Sequence, residues 1–360
     1  MIVSSLELVD FRNYVAASFE FDAGITAVVG LNGQGKTNLA EALAYLASLE
    51  SFRGAPTDAL IRVGADSAIV RSTVTQDDGR EVLVELELNR NGRNRTQVNR
   101  QRLSRSRELL GVMRVTVFSP EDLSMIKGGP QERRTFLDTT LTALAVKYDA
   151  LRLELERIIR QRNVLLKQVG GRLDGDAALT LDVWDAKLTD VGERFGHARA
   201  VLVQRLTPLV GEAYEQLADR PTPVGLRYEP DWRRTGLAVA LVNARTDDVR
   251  RGASTVGPQR DDVELSIGQL PARTHASQGE QRTLALALRL GAHRLVAERA
   301  GSVPLLILDD VLSELDPHRA TKLLQHLPTG QVILTTAGVL PDAAHPDVIV
   351  RIEAGAVLAS

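Results

Sequence analysis

The sequence predicts an α/β protein: a mixed, largely parallel sheet with an antiparallel β meander, built from both ends of the chain, and a mainly helical arm inserted between them. Three observations carry this reading. Short apolar strands and helices alternate near both ends of the chain. A glycine-rich turn joins one such strand to a helix at residues 30–37. Between positions 141 and 209 apolar side chains recur at alternating three- and four-residue intervals.

In chain order, residues 2–9 alternate roughly as a strand. Residues 25–29, Ile-Thr-Ala-Val-Val, form a second strand that runs into the glycine-rich turn, and Leu39, Ala42, Leu43 and Leu46 stripe the helix that follows. Residues 68–75 and 80–88 are β-rich and joined by Asp77-Asp78-Gly79, with another turn near Asn91-Gly92, which makes a meander. Residues 112–118 read as a strand closed by Ser119-Pro120. From Leu141 a seam runs through Leu144, Tyr148, Leu151, Leu155, Ile158, Leu165 and Val169, with Arg162 its one polar interruption. A turn-rich stretch at 170–176 breaks it, and it resumes at Leu181, Trp184, Leu188, Val191, Phe195, Ala198, Leu202 and Leu209. Two seamed helices around a turn make a short antiparallel coiled hairpin about 45 Å long. The same stripe also suits a compact helical lobe. Strand-like runs at 263–267, 303–308 and 331–336 and an apolar helix over 281–296 complete the chain. The expected division is a head of 1–118 plus 253–360 and an inserted arm of 119–252.

The chain has 360 residues, 44% of them hydrophobic and 25% charged, enough apolar mass for more than one core. It has no cysteine, which excludes disulfides and thiolate metal sites. With 44 basic and 46 acidic residues the net charge is −2, so any nucleic-acid contact must be a local basic patch. The first residues lack the pattern of a secretory leader. No apolar run reaches the ~20 residues of a membrane span. A cytoplasmic protein without a membrane partner is expected.

Residues 30–37, Gly-Leu-Asn-Gly-Gln-Gly-Lys-Thr, match GxxxxGK[ST] between a strand and a helix. Glycines let backbone N–H groups curl around phosphates, and the helix N-terminus adds its positive dipole end. Lys36 would reach the outer phosphates of ATP and Thr37 would offer its hydroxyl to Mg²⁺. The apolar run 303–308 ends in Asp309 and Asp310. The first suits the metal and the second suits the attacking water, although a strand ending in Asp often only caps a helix. Ser277-Gln278-Gly279-Glu280-Gln281 opens a helix, with Ser277 as cap and Glu280 as its capping-box partner.

That string resembles the signature of ABC-type ATPases. The resemblance implies that Ser277 and Gly279 close on a nucleotide held by a second copy. Ser313-Glu314-Leu315-Asp316 resembles the D-loop, with Asp316 able to cap a helix begun by Pro317, and Thr335-Thr336 occupies the switch position. Seven arginines, Arg90, Arg93, Arg95, Arg100, Arg102, Arg105 and Arg107, form the one strong basic run. It reads either as a phosphate-contacting patch, centred on Arg93, Arg95, Arg100, Arg102 and Arg105, or as a solvated hairpin face.

Taken together the chain is similar to the RecF family of bacterial recombination-mediator ATPases. The residues that carry this are Phe11-Arg12-Asn13-Tyr14, Pro120-Glu121-Asp122, Lys127-Gly128-Gly129-Pro130, Arg133-Arg134-Thr135-Phe136-Leu137-Asp138 and residues 307–316. One departure is Gln259, where the family usually has histidine. The resemblance implies an SMC-like head with a short arm, ATP-dependent homodimers, slow ATP hydrolysis, DNA binding, and partnership with RecR and RecO in loading RecA. It implies a nucleotide-contacting set of Gly30, Asn32, Gly33, Gln34, Gly35, Lys36, Thr37, Asn38, Arg12, Ser277, Gly279 and Thr336, with Asp309, Asp310 and Lys36 as the catalytic group. A transporter ATPase subunit fits less well, because most of the chain separates phosphate loop from signature and no histidine stands at the switch. A small-molecule kinase leaves residues 277–281 unexplained.

Overall fold

The structure, a computed structural model, describes residues 1–358 except 219, 221 and 339. Its residues gather into two units: 1–123 with 212–221 and 278–360, and 124–211 with 222–277.

The first unit begins with β1 (Ile2–Phe11), β2 (Tyr14–Glu20), β3 (Ile25–Val29), α1 (Lys36–Ser48), β4 (Ser67–Thr75), β5 (Glu81–Asn89), β6 (Arg95–Val98), β7 (Gln101–Arg102) and β8 (Val115–Phe118). The chain then runs through α2 (Pro130–Leu144), α3 (Lys147–Gln168), α4 (Gly175–Leu217), β9 (Val224–Arg227), α5 (Leu237–Arg251), β10 (Glu264–Ile267) and β11 (Leu270–Pro271). It ends with α6 (Gln278–Ala300), β12 (Leu305–Asp309), α7 (Pro317–Gln325), β13 (Val332–Thr336), β14 (Val348–Glu353) and β15 (Ala356–Leu358).

Two six-stranded sheets build the first unit. One is antiparallel, in the order β2-β1-β4-β5-β6-β7, and contains the expected meander. The other runs β15-β14-β3-β13-β12-β8, with all neighbours parallel except the β14–β15 hairpin. Every residue of β12 and β13 is buried, as expected for central parallel strands covered on both faces. Helix α1 lies in the shared core, where Leu39, Leu43 and Leu46 join Leu6 and Val70 of the first sheet and Ile307 and Ile333 of the second. Gln331 ties the sheets directly: its amide exchanges hydrogen bonds with the backbone of Val3, at 2.8 and 2.7 Å.

In the second unit the seam is built differently from a two-helix hairpin. The spacing that runs unbroken from Leu141 is carried by two helices, because Ala145 turns to an extended conformation and ends α2. Helix α4 extends for 43 residues, about 65 Å of rise, and a third helix, α5, closes the bundle: Leu166, Leu181 and Val249 form one cluster, drawn from α3, α4 and α5. Arg162, the polar interruption, is fully buried. Its guanidinium donates to Asp185 Oδ1 and Asp248 Oδ2 at 2.7 Å each and to Ser254 Oγ at 2.9 Å. Strand β10 pairs with β9, so residues 253–277 gather here rather than with the sheets that hold the rest of the expected head.

Candidate nucleotide site

Strand β3 delivers residues 30–37 to the N-terminus of α1. Glycine is required at two points of this loop for different reasons. A Cβ on Gly30 would sit 2.4 Å from the Ile352 carbonyl oxygen of the neighbouring β14, and Gly35 has φ +121°. Lys36 is buried and its ammonium folds back on the loop, donating to the carbonyls of Gly30 at 2.8 Å and Leu31 at 2.9 Å. Burial pushes its pKa down, while Asp310 and Asp309 pull it up. The amine is thus held beside the loop by groups weaker than a phosphate.

The strand ends of the parallel sheet supply the rest. Leu308 lies beside Phe118 and Leu334, so β12 carries Asp309 out at the same edge as the loop. Asp309 Oδ1 accepts from Thr37 Oγ1 at 3.1 Å and from Thr335 Oγ1 at 2.7 Å. Only 3% of the residue is exposed, and burial raises its carboxyl pKa; the two hydroxyls oppose that shift, whereas Glu121 and Asp310 add to it. A buried carboxylate hydrogen-bonded only by neutral hydroxyls, with the Lys36 ammonium acting on it through space but not bonded to it, is an unfinished charge. The oxygen-only set of Asp309 and Thr37 suits a hard divalent cation completed by phosphate oxygens. Among the described residues there is no group of three His, Cys, Asp or Glu that would hold a metal unaided. Asp310 has φ +52°, unusual for a residue with a Cβ. Its N–H reaches Thr335 Oγ1 at 3.0 Å, and its Oδ1 is buried and accepts no hydrogen bond among the described residues.

Thr335, read from the sequence with Thr336 as the switch position, follows three apolar residues of the buried strand β13 and touches both aspartates. Thr336 is buried and accepts from the Gly338 N–H at 3.1 Å. Asn32 is exposed. Two residues expected at nucleotide are committed elsewhere. Arg12, at φ +54° in the β1–β2 turn, forks onto Glu41 of α1 with two bonds of 2.8 Å and donates to the Ala59 carbonyl. Asn38 donates to Asn13 Oδ1 at 2.7 Å.

Ser277 is exposed immediately before α6. Gly279 lies in the first turn of that helix, where a Cβ would meet the Arg319 guanidinium at 2.4 Å. Asp316 holds that arginine and caps α7 as expected, accepting from the Arg319 backbone N–H and guanidinium at 3.0 Å each. Gln259 donates locally to the Val256 carbonyl at 2.8 Å.

Arg93, Arg95, Arg100, Arg102 and Arg105 are all exposed at the β6–β7 end of the antiparallel sheet. Asn99 and Arg100, with φ +51° and +64°, form the two-residue turn between those strands. Among the described residues Arg95 alone of the five approaches an acid, Glu87, at 3.4 Å. Arg90 instead donates to the carbonyls of Ala65 and Arg62.

Residues 2–343 match the family model described as RecF/RecN/SMC N terminal domain. The chain is 44% identical over 355 residues to a DNA replication and repair protein RecF of Streptomyces avermitilis, covering 95% of each chain. It is 40% identical over 369 residues to a protein of the same description from Cutibacterium acnes, covering 95% of this chain and 93% of that one. Among solved structures it is similar to the recombination mediator protein RecF bound to ATP, from the RecFOR pathway. The TM-score is 0.90 at 30% identity, covering 99% of this chain and 97% of that one. An Smc head bound to the C-winged helix domain of ScpA shares the fold, with a TM-score of 0.60 at 18% identity, covering 99% and 96%.

Proposed function

The chain belongs to the RecF/RecN/SMC N-terminal domain family, and from that premise we propose that it is an ATP-switched DNA-binding protein of replication and recombinational repair. The observation that carries the reading is the convergence of Lys36, Thr37, Asp309 and Thr335 at one edge of the parallel sheet. ATP binds with its phosphates in residues 30–37, and Lys36 exchanges the Gly30 and Leu31 carbonyls for phosphate oxygens. Thr37 and Asp309 would hold Mg²⁺, which when bound would neutralise charge on the phosphates. The free Oδ1 of Asp310 accepts a hydrogen bond from the attacking water and orients it. Ser277 and Gly279 act on the nucleotide of a second copy, so two ATP molecules join two chains and slow hydrolysis releases them.

The exposed arginines at the β6–β7 end contact DNA phosphates, and the helical unit of 124–211 with 222–277 serves as the arm. RecR with RecO, and through them RecA, are the partners of this cycle, as the RecFOR pathway named for the solved relative suggests. The test is fluorescence anisotropy of gapped DNA with ADP and then ATP. Binding should tighten with ATP in the wild type and show no ATP response in Lys36→Met. An identical ATP response in both proteins would overturn the reading.

A further inference from the structure

An anion-binding loop works only if its N–H groups converge on the ligand, which requires its carbonyls to point outward and be satisfied there. In this chain the outward carbonyls are captured by two turns far away in sequence. The first is the two-residue turn at Arg12 and Asn13 between β1 and β2, where Phe11 pairs with Tyr14. From it, Asn13 Nδ2 donates to the Gln34 carbonyl at 2.9 Å, and the buried hydroxyl of Tyr14 donates to the Gly35 carbonyl at 2.9 Å. The second is the turn at Ala354 and Gly355 between β14 and β15, where Glu353 pairs with Ala356. Both its residues have positive φ, +48° and +75°, the geometry of a type I′ hairpin. Its Gly355 N–H donates to the same Gln34 carbonyl at 3.0 Å, and its Ala354 N–H to the Gln34 side-chain oxygen.

The turns also touch each other, since a Cβ on Gly355 would lie 2.7 Å from the Asn13 carbonyl oxygen. Asn38 completes the ring by donating to Asn13 Oδ1. Gln34 therefore spends both its oxygens on holding the loop. An alanine at positive φ in that turn carries strain that glycine would not.

We infer that Asn13, Tyr14 and the 354–355 turn are positioning residues for the phosphate loop: they capture the carbonyls of Gln34 and Gly35 and so aim the loop N–H groups inward before nucleotide arrives. The inference rests on the nucleotide reading above and adds to it a hairpin remote in sequence that sets affinity. Its test uses the full chain with Asn13→Ala, Gly355→Val and Ala354→Gly, read by mant-ADP titration, ATPase kinetics and hydrogen exchange of the nucleotide-free protein. Asn13→Ala and Gly355→Val should each bind mant-ADP about tenfold more weakly and raise KM, with kcat at saturating ATP changed less than about twofold. Exchange should quicken at residues 31–37 while β12 and β13 keep their protection. Ala354→Gly preserves the turn and should bind as tightly as the wild type or more tightly.

Unchanged affinity and unchanged loop exchange in the first two variants would overturn the inference. So would equal weakening by Ala354→Gly with protection lost throughout the unit, which marks a merely structural hairpin. A wild type that bound no mant-ADP would instead remove the nucleotide reading, and the exchange data, which need no nucleotide, would still decide the role of the turns.

Discussion

The nucleotide edge and the helical unit both bury charge, and they treat it in opposite ways. In the helical unit Arg162 is enclosed by Asp185, Asp248 and Ser254, a cation answered by two carboxylates. At the nucleotide edge the hydrogen bonds to Asp309 come only from the hydroxyls of Thr37 and Thr335, Lys36 acts on it through space while bonded to loop carbonyls, and its neighbour Asp310 keeps a buried oxygen without a donor among the described residues. In the first arrangement the charge is matched, although Arg162 Nη2 finds no acceptor among the described residues, and the cross-link specifies how three helices pack. The second is open, and what would close it is a cation and a phosphate chain. Charge left open in a buried place distinguishes the working site from the scaffold.

Breaking the closed site should have the largest effect. Arg162→Ala takes the cation from buried Asp248 and leaves Asp185 with Arg245 alone, and should cost about 3–5 kcal/mol of stability, measured by urea denaturation. Replacing Asp185 and Asp248 by asparagine together with Arg162→Met should recover most of that loss, and mant-ADP affinity should be unchanged in any variant that folds. A comparable loss of affinity would mean that the two regions are not independent. Emptying the open site comes next. Lys36→Met should weaken ATP binding by roughly a hundredfold with its melting temperature close to wild type, checked by titration beside calorimetry.

The smallest effect sharpens the contrast by sign. Burial raises the pKa of Asp309 in the folded chain. Its contribution to stability is therefore fully present below the ordinary carboxylate range and is lost as pH rises through the raised value. Asp309→Asn should abolish that decline and stabilise the nucleotide-free protein at neutral pH by on the order of 1 kcal/mol, while nucleotide no longer raises its melting temperature. A destabilised Asp309→Asn would show the carboxylate to be structurally satisfied.

Much of this was legible in the sequence because it is local. The phosphate loop occupies eight consecutive residues, and Asp309 ends a five-residue strand after four apolar residues, with Asp310 next. The meander announces its turns with Asp78-Gly79 and Asn91-Gly92. Asp316 caps α7 three residues ahead of its partner. What escaped was long-range. A seven-residue rhythm records that one face of a helix is covered but not by how many helices, so α5 was invisible and Arg162 read as an interruption rather than a cross-link. The same rhythm passes through the break at Ala145, because extended and helical residues there leave the apolar spacing intact. Arg12 and Asn38 carry side chains suited to phosphate, and their bonds to Glu41 and Asn13 join the β1–β2 turn to α1, a contact no spacing encodes. The partnership of Asn13, Gln34 and Gly355 joins positions from three distant stretches of chain, and no spacing encodes it.

The most direct measurement of shared sites is complementation followed by light scattering. Lys36→Met and Ser277→Arg chains are each brought to saturating ATP and magnesium, alone and as an equimolar mixture. If each pocket takes Lys36 from one copy and Ser277 from the other, a mixed pair retains one intact pocket. The mixture should then contain dimers, in up to about half of the pairings, while each variant alone stays at the mass of a single chain. A mixture that remains single-chain under conditions where the wild type pairs, or a Ser277→Arg protein that pairs as readily as the wild type, would contradict the account.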